Sequence, residues 1–383
     1  MLSAAVGWEI YERTHSALNL GLVGLSQIIP MVLMTLPAGH AADNFSRKSI
    51  IILSEMVMCA SCIALAFLSL SKADVGWTFF CLFLNGIART FLWPASAAFL
   101  PQLVTREEFP LAVTWNSSSF QLSAVAGPAL GGAIIAHYFS AAPVYFFNAG
   151  AAIIYSLLTV LVKTEPVILA RQKMTLKTLI AGFHFVYATR IILGIITLDL
   201  FAVLFGGATA LLPVYAKDIL HKGPAWLGLL QAALPMGSLV MAFTLAHRAP
   251  MNKAGRTLLQ AVTVFGLATI AFGFSQNFWF AFVMMAVCGA ADNISIVVRH
   301  TLVQLLTPDE MRGRVSAVNS LFIGTSNEFG DFESGFVAHW IGPVAAVVSG
   351  GLATLVVVAA VAFYFPEIRK HGRLVPDLPK APG

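Results

Sequence analysis

Hydrophobic residues of this chain come in long continuous blocks that short polar stretches separate. A helix needs about 20 apolar residues to cross the hydrocarbon of a bilayer, and most of the blocks reach that length. They are continuously apolar and do not alternate with polar positions, so they predict membrane helices and not the strands of a barrel. The pattern therefore predicts an all-α, multi-pass membrane protein surrounded by the lipid bilayer. The predicted spans are 1–12 (partial), 18–38, 50–70, 77–100, 113–137, 143–162, 191–215, 225–246, 257–275, 278–304, 315–339 and 343–365.

Charged residues are few and unevenly placed. They make up 11% of the 383 residues, about half of the usual share in soluble domains. Loops on one side of the predicted spans hold most of the 23 Lys and Arg residues, whereas the opposite loops hold Arg13, Lys72, Lys217 and Lys222. The positive-inside rule assigns the basic-rich side, and with it the C-terminus, to the cytoplasm. The net charge of +5 therefore indicates orientation, and no nucleic-acid partner is predicted.

The chain reads as two similar halves. A polar stretch at 163–190 divides the spans six and six, and the segment Gln102–Glu108 recurs as Gln304–Glu310 in the turn after each half's fourth span. Parallel six-span repeats predict two bundles related by a pseudo-two-fold axis along the membrane normal. The predicted domains are 1–162, an N-terminal six-helix bundle; 163–190, a central cytoplasmic loop; 191–366, a C-terminal six-helix bundle; and 367–383, a cytoplasmic tail.

The first span is predicted to be truncated. Pro30 in span 2 matches Pro235 in span 8, and the two residues are 205 positions apart. Span 7 begins near Ile191, so the first span is expected to begin about 14 residues before Met1. Met1 is therefore interpreted as an internal or misassigned start, or as the result of a truncation, and an upstream in-frame extension that supplies the missing half-span would argue against a non-transporting relic.

A run of small residues interrupts the fifth span at Gly127–Gly132. Pro128 removes a backbone hydrogen bond and kinks a helix, while Gly127, Gly131 and Gly132 let another helix backbone approach closely. Such a helix suits a place where two moving halves meet. A plain packing seam of small residues gives the same pattern and remains an alternative.

The loop after span 2 carries a second motif, formed by Gly39, Asp43, Arg47 and Lys48. The glycine permits close helix approach, and the acid can cap a neighbouring helix N-terminus. The basic pair can bridge to acids or lipid phosphates. The alternative interpretation is an ordinary turn that obeys the positive-inside rule.

Both motifs resemble signatures of the major facilitator superfamily. The loop is similar to Gly-x-x-x-Asp-Arg-x-Gly-Arg-Arg/Lys, with Asn44 and Ser46 in place of the usual Arg and Gly. Gly127–Gly132 is similar to the antiporter signature Gly-Pro-x-x-Gly-Gly, with Ser123 where an upstream Gly is usual. The resemblance implies the superfamily fold, a loop that latches the cytoplasmic side in the outward-facing state, and a transporter associated with export.

Further stretches resemble one part of that superfamily. Gly7–Glu12, Gly21–Leu25 and Arg312–Ala317 are similar to its enterobactin-exporter-like and drug-efflux members. This resemblance implies a secondary transporter of the bacterial cytoplasmic (inner) membrane, and it fixes no substrate.

Ionisable side chains inside membrane spans are costly and are therefore functional candidates. Glu328 and Asp331 are three residues apart in span 11 and share a helix face, so one of them is expected to hold a proton near neutral pH. They are candidates for proton coupling, with a structural ion pair to Arg89 or another base as the alternative. Asp199 in span 7 and Asp292 in span 10 are further candidates, as is Arg89, since proton-coupled superfamily members often carry an arginine in span 4.

Other charged residues carry less information. Asp292 and Arg299 are seven positions apart, about 10 Å along a helix, so each is expected to bind partners on other helices. Glu333 ranks last among the acids of span 11. Glu9 and Glu55 are assigned to span ends, where water reaches them, and are discounted.

Aromatic residues suggest a substrate cavity. The chain has 29 Phe residues, and Trp93, Trp115, Phe201 and Phe205 are candidate liners, with Asn116 in a polar patch of span 5. Lipid-facing or packing roles are the alternative. The four cysteines lie within spans and are interpreted as packing residues, and no metal site or cofactor is predicted.

The leading hypothesis is a proton-coupled exporter of an amphipathic small molecule, either a siderophore or a drug, that works by alternating access. The alternatives are an importer or facilitator on the same fold, and a non-transporting truncated relic. No nucleophile, metal cluster or nucleotide loop indicates an enzyme. The predicted partners are a small-molecule substrate, protons and lipid, and the predicted state is a monomer.

Overall fold

The computed structural model describes residues 1–162, 176–248 and 253–370, and in these ranges every regular element is helical. The first half of the chain forms α1 (Leu2–Thr14), α2 (Ala17–Asn44), α3 (Arg47–Ser71), α4 (Val75–Phe99), α5 (Phe109–Tyr138) and α6 (Ala142–Leu161). The second half forms α7 (Leu176–Ala188), α8 (Arg190–Gly206), α9 (Leu212–Val214), α10 (Pro224–Ala246), α11 (Ala254–Gly273), α12 (Phe278–Leu306), α13 (Asp309–Ile341), α14 (Pro343–Tyr364) and α15 (Pro366–Lys370). A 3₁₀ turn at Leu100–Gln102 follows α4, another at Ala208–Leu211 follows α8, and a π-helical turn at Tyr215–Ile219 follows α9.

Within the described ranges, ten helices are long and apolar enough to cross a bilayer. Two of the twelve predicted spans fall outside this set. α1 has 13 residues, fewer than the roughly 20 that a span needs. α13 has 33 residues, but its polar and acidic side chains lower its hydropathy. The helical, multi-pass character predicted from the sequence is confirmed.

The predicted domain bounds meet the structure only in part. Of the predicted central loop 163–190, residues 163–175 lie outside the described ranges, and Leu176–Ala188 forms α7. The first residues of the predicted tail 367–383 belong to α15, and residues 371–383 lie outside the described ranges. The assignment of the four domains stays a prediction.

The chain divides into two compact units. Unit 1 is Met1–Leu176, Thr209–Ala232 and Asp331–Pro343, so it takes two segments from the second half of the sequence. Unit 2 is Lys177–Ala208, Ala233–Gly330 and Val344–Gly383. The described residues of each unit are treated separately below.

The internal repeat is visible in how helices pack at proline. In unit 1, a Cβ atom on Gly86 of α4 would lie 2.7 Å from the Pro30 ring on α2. In unit 2, a Cβ atom on Gly289 of α12 would lie 2.7 Å from the carbonyl carbon of Leu234, next to Pro235 on α10. In both halves, glycine therefore makes room for the bulge that a proline creates in the neighbouring helix.

The repeated polar turn starts a helix. The Thr105 backbone N–H and hydroxyl donate to the Glu108 carboxylate at 3.2 and 2.9 Å, and the Glu108 N–H donates to the Thr105 hydroxyl at 3.3 Å. This is a reciprocal capping arrangement, and its hydrogen bonds lower the pKa of Glu108. The Thr-x-x-Glu spacing returns at Thr307 and Glu310 in the second copy of this polar segment.

Candidate functional site

The basic pair of the span 2 loop binds helix ends. Arg47 donates to the Ala98 carbonyl oxygen at 2.8 Å, and Lys48 donates to the carbonyl oxygens of Val160 and Val162, each at 2.8 Å. The last carbonyls of a helix lack intrahelical partners and carry partial negative charge. The pair therefore fastens the start of α3 to the ends of α4 and α6 inside unit 1. Its partners are backbone carbonyls, where the sequence suggested acids or lipid phosphates.

The departures from the signature loop have local roles. Ser46 caps α3 by accepting from the Ser49 N–H at 3.3 Å. Asn44 donates to the His40 carbonyl oxygen at 2.8 Å, at the end of its own helix. Gly39 and Asp43 lie in the last turns of α2, and the side chain of Asp43 is outside the described part of the chain.

The glycine run of α5 meets another helix almost backbone to backbone. A Cβ atom on Gly132 would lie 2.9 Å from the Gly228 Cα atom on α10 and would collide with the Pro224 carbonyl oxygen. A Cβ atom on Gly228 would in turn collide with the Pro128 carbonyl oxygen. This crossing, within unit 1, is the close approach that bare glycine faces permit.

The other two glycines of the run face the start of α1. Cβ atoms on Gly127 and Gly131 would each lie 3.2 Å from backbone atoms of Met1. Pro128 stands inside α5, which continues unbroken from Phe109 to Tyr138. The whole run is therefore a packing surface for two other helices, α1 and α10.

A second glycine crossing stands in the equivalent place of the repeat. A Cβ atom on Gly335 of α13 would lie 2.6 Å from the Gly21 Cα atom on α2, and one on Gly21 would lie 2.9 Å from the Phe332 carbonyl oxygen. Gly132 and Gly335 are 203 positions apart, the separation that also relates Asn116 to Asn319. Unit 1 thus joins the two halves of the sequence at two equivalent helix pairs, α5 with α10 and α2 with α13.

A group of polar side chains surrounds the end of α1 on the basic-poor side of the spans. The Tyr11 hydroxyl, on a side chain from a residue only 4% exposed, donates to the Asp218 carboxylate in the π-helical turn. Lys217 in the same turn pairs with Glu12 at 2.7 Å. We call the whole group the α1 polar cluster, formed by Glu9, Tyr11, Glu12, Arg13, Tyr145, Lys217 and Asp218.

The rest of the α1 polar cluster anchors α1 to its own half of the sequence. The buried Tyr145 hydroxyl donates to Glu9 at 2.8 Å, and Arg13 pairs with Glu9 at 3.4 Å. Arg13 also donates to the Ala73 carbonyl oxygen before α4. The cluster therefore links α1, α4, α6 and the π-helical turn. Sequence reasoning missed it, because its partners lie as far apart as 207 positions.

Replacing Tyr11 by phenylalanine is expected to loosen α1 from the π-helical turn. The hydroxyl makes a charge-assisted hydrogen bond, and its loss costs about 1–2 kcal/mol, or about a tenfold change in the population of the closed contact. Spin labels at Thr14→Cys and His221→Cys should report a longer and broader distance distribution in the variant. Tyr138→Phe, at a tyrosine that is 61% exposed, serves as the matched control. An unchanged distribution would show that the hydroxyl does not hold this contact.

Arg89, Glu328 and Asp331 are three of the residues predicted to take part in proton coupling. Arg89 of α4 donates to the Gln27 side-chain oxygen on α2 at 2.7 Å. Asp331 accepts from the Thr209 hydroxyl at 2.9 Å, and both residues belong to unit 1. The boundary between the two units falls within α13, directly after Gly330. Glu328 therefore belongs to unit 2, although Asp331 on the same helix belongs to unit 1.

Asp199 and Asp292 come together in unit 2. Asp199 of α8 forms an ion pair with Arg299 of α12, and both side chains are buried. Asp292 and Asp199 line the same small cavity with Ser295. Arg299 thus has its partner on another helix, as the seven-residue spacing to Asp292 indicated.

The candidate cavity aromatics form two pairs of contacts. Trp93 of α4 is 71% exposed and meets Phe120 of α5 edge to face, with ring centroids 6.4 Å apart. Phe201 stacks on Phe205 along α8 at 6.0 Å. Trp115 and Asn116 are also exposed, near the start of α5. These side chains lie in different units and are not brought to one site within either unit.

The prediction for Glu55 was wrong. It was assigned to a water-exposed span end, yet it is 8% exposed and lies eight residues inside α3. Its neighbours Cys59 and Cys62 are buried as well, in a small cluster with Ala149 and Ala152 of α6. The apolar run around Glu55 was the available signal for its burial.

The ten apolar helices, the repeated halves and the glycine crossings are those of a multi-pass transporter of the major facilitator superfamily. The sequence profile described as "transmembrane secretion effector" matches residues 1–375. The chain belongs to this family, and it is a membrane transporter for small molecules and not an enzyme.

Similar proteins of named function cover nearly the full chain. An enterobactin exporter of Citrobacter koseri is 27% identical over 384 residues, covering 99% of this chain and 91% of that protein. An enterobactin exporter of Escherichia coli O157:H7 is 26% identical over 388 residues, covering 100% of this chain and 92% of that protein.

Solved structures share the fold at low identity. A bacterial homologue of the human lysosomal transporter Spinster, inward-facing and unoccupied, superposes with a TM-score of 0.72 at 15% identity over 96% of both chains. The D-xylose–proton symporter gives a TM-score of 0.67 at 14% identity over 96% of this chain and 97% of that chain. At these identities the likeness establishes the superfamily fold and nothing about substrate.

Proposed function

We propose that this protein is a proton-driven exporter of an amphipathic small molecule of the siderophore class, working by alternating access in the bacterial inner membrane. The observation that carries the proposal is the alignment of nearly the whole chain with two proteins named as enterobactin exporters. The family description, a secretion effector, supports export over import. The excess of Lys and Arg in alternate loops supports a cytoplasmic C-terminus.

Alternating access requires contacts that close one side of the transporter and separate in the other state. The α1 polar cluster and the two glycine crossings join both halves of the sequence, on the side whose loops hold few basic residues. We assign them to the outer gate. Polar contacts of modest strength suit such a gate, because each costs only about 1 kcal/mol to break and re-form.

In this proposal the first half of the sequence moves as a rigid body, and other contacts keep it rigid. Arg47 and Lys48 bind carbonyl oxygens at the ends of α4 and α6, so they hold three helices of the first half as one body. In this proposal the signature loop keeps its half rigid while the gate moves. The exposed rings of Trp93 and Trp115 supply flat surfaces on which catechol rings can stack.

Transport into inside-out membrane vesicles tests the proposal. Vesicles containing the full chain should accumulate enterobactin when their lumen is made more acidic than the outside. An uncoupler should abolish the accumulation. A cationic dye offered in parallel tests the drug-efflux alternative, and vesicles without the protein give the background.

The outcomes separate the candidate functions. Dye accumulation without enterobactin accumulation would keep the exporter and overturn the substrate class. Accumulation that survives the uncoupler would overturn proton coupling. No accumulation of either compound by correctly inserted protein would overturn the exporter, and gradient-driven uptake in right-side-out vesicles would replace it with an importer.

A further inference from the structure

A small cavity in unit 2 lies between α8, α11 and α12. Its volume is about 10 Å³, which is at the lower limit of what admits a single water molecule. Two carboxylates face it, from Asp199 on α8 and Asp292 on α12, with the Ser295 hydroxyl beside them. The rest of its wall is apolar, formed by Ala202, Val203, Val262, Phe265 and Ala291.

One of the two carboxylates is already neutralised. Asp199 pairs with the Arg299 guanidinium, and the Arg299 side chain is 3% exposed. The Arg299 Nε–H has no hydrogen-bond partner among the described residues, so the guanidinium has a free donor beside the pair. A charge this deeply buried is retained only where it is compensated, because its desolvation is costly.

The charges in this group do not cancel. Two carboxylates and one guanidinium leave one negative charge in this group. Asp199 and Arg299 are buried and Asp292 is half-buried, and removal from water penalises an uncompensated charge. We propose that Asp292 is the proton-binding site of this transporter. Asp199 has a positioning role, because it holds and neutralises the Arg299 guanidinium and so leaves Asp292 able to bind and release a proton. Uptake is simple protonation: the Asp292 carboxylate binds one H⁺ and becomes a neutral carboxyl group, and release reverses the step.

The cavity suits a proton better than a metal cation. Calcium takes six to eight oxygen ligands, and magnesium demands a near-ideal octahedron. The cavity offers two carboxylates and one hydroxyl, and its volume leaves room for about one water molecule. One proton balances the charge without further ligands.

Two other titratable groups stand on α12, the Cys288 thiol and the His300 imidazole next to Arg299. The Cys288 thiol lies one turn earlier on α12, and α11 contributes the apolar side chains of Val262 and Phe265. α13 passes α8 where a Cβ atom on Gly330 would lie 3.0 Å from the Leu204 carbonyl oxygen, and it carries Glu328 two residues before Gly330. Among the residues that line the cavity, Asp199 is the other charged one, and Arg299 joins this group through its ion pair with Asp199.

This inference rests on the proposed function for its purpose, but protonation can be measured without transport. Infrared difference spectra of the purified full chain between mildly alkaline and mildly acidic buffer should show the carbonyl band of a newly protonated carboxyl group. Asp292→Asn should remove that band. Glu107→Gln, at an exposed acid in the turn before α5, is the matched control and should keep it.

The positioning role of Asp199 and Arg299 has its own signature. In Asp199→Asn, Asp292 is the one acid that still lines the cavity, and the Arg299 charge has lost its partner. That uncompensated positive charge is expected to keep Asp292 ionised, so the band should vanish although Asp292 is intact. In Asp199→Asn/Arg299→Gln, Asp292 is the only charge left at the cavity, so the band should persist in alkaline buffer. A purely structural ion pair predicts neither change.

Each outcome decides one claim. A band that survives Asp292→Asn, or that disappears in Asp331→Asn instead, would overturn the inference.

In vesicles that accumulate enterobactin, Asp292→Asn should reduce gradient-driven accumulation to the level seen with an uncoupler, while exchange of enterobactin between the two sides continues. Full accumulation by this variant would overturn the inference and leave the exporter standing. A wild-type band that Asp292→Asn removes, in a protein that transports nothing, would overturn only the exporter.

Discussion

Replacing Gly132 by valine is expected to abolish transport and to lower the thermal unfolding temperature of the protein in detergent. A Cβ atom at this position would lie 2.9 Å from the Gly228 Cα atom and would collide with the Pro224 carbonyl oxygen. Both obstacles are backbone atoms, so the helices must move apart because no side chain can rotate away. Overpacking of this kind costs about 1–3 kcal/mol, and every transport cycle that closes the gate would meet it.

Gly150 gives the matched control for this substitution. It lies on α6, and a Cβ atom there would meet no atom within 4 Å. Gly150→Val should therefore transport and unfold almost as the wild type does. Gly132→Ala should fall between the two, because it adds a single methyl group. If Gly132→Val transports and unfolds like Gly150→Val, the α5–α10 crossing has no role in the gate.

Replacing Arg299 alone by glutamine is expected to destabilise the protein by about 3–5 kcal/mol. The substitution leaves the Asp199 and Asp292 carboxylates together at one small cavity with no compensating charge. Removing one member of a buried ion pair is costly for that reason, whereas replacing both members is often close to neutral. The thermal unfolding temperature of purified protein measures the effect, and acidic buffer should restore part of it by protonating the carboxylates.

A double-mutant cycle isolates the interaction of Asp199 with Arg299. The double variant Asp199→Asn/Arg299→Gln should unfold at a higher temperature than Arg299→Gln alone, because it carries one fewer uncompensated charge. Arg190→Gln is the control, since Arg190 pairs with Glu367 at 3.3 Å but is 72% exposed, and an exposed pair is worth little. Additive effects of the two single variants would show that the buried pair contributes no interaction energy.

Much of the fold could be predicted from local patterns in the sequence. The apolar blocks located the helices, and the duplicated Gln102–Glu108 segment with the Pro30 and Pro235 pair revealed the repeat. The bare glycine face of Gly127–Gly132 indicated a close helix contact, and the structure gives that contact a partner at Gly228. These features are readable because helix length, proline kinks and glycine faces depend on neighbouring residues along one helix.

Contacts between distant residues could not be predicted in the same way. No spacing rule pairs Tyr11 with Asp218, and nothing around Lys48 says that it binds carbonyl oxygens at the end of α6. Glu55 was discounted because a span boundary is uncertain by several residues, and burial depends on the helices packed around it. In each case the decisive neighbour comes from another helix.

Patterns along the chain were therefore enough to predict the class of protein, most of its helical spans and its repeat. The packing of the helices was needed to learn that Asp199 and Asp292 share a cavity, that Arg299 neutralises Asp199, and that two glycine crossings join the halves of the sequence within unit 1. The physical reason is that hydropathy and backbone freedom act along the chain. Charge compensation and close packing act across space, between helices that the sequence leaves far apart.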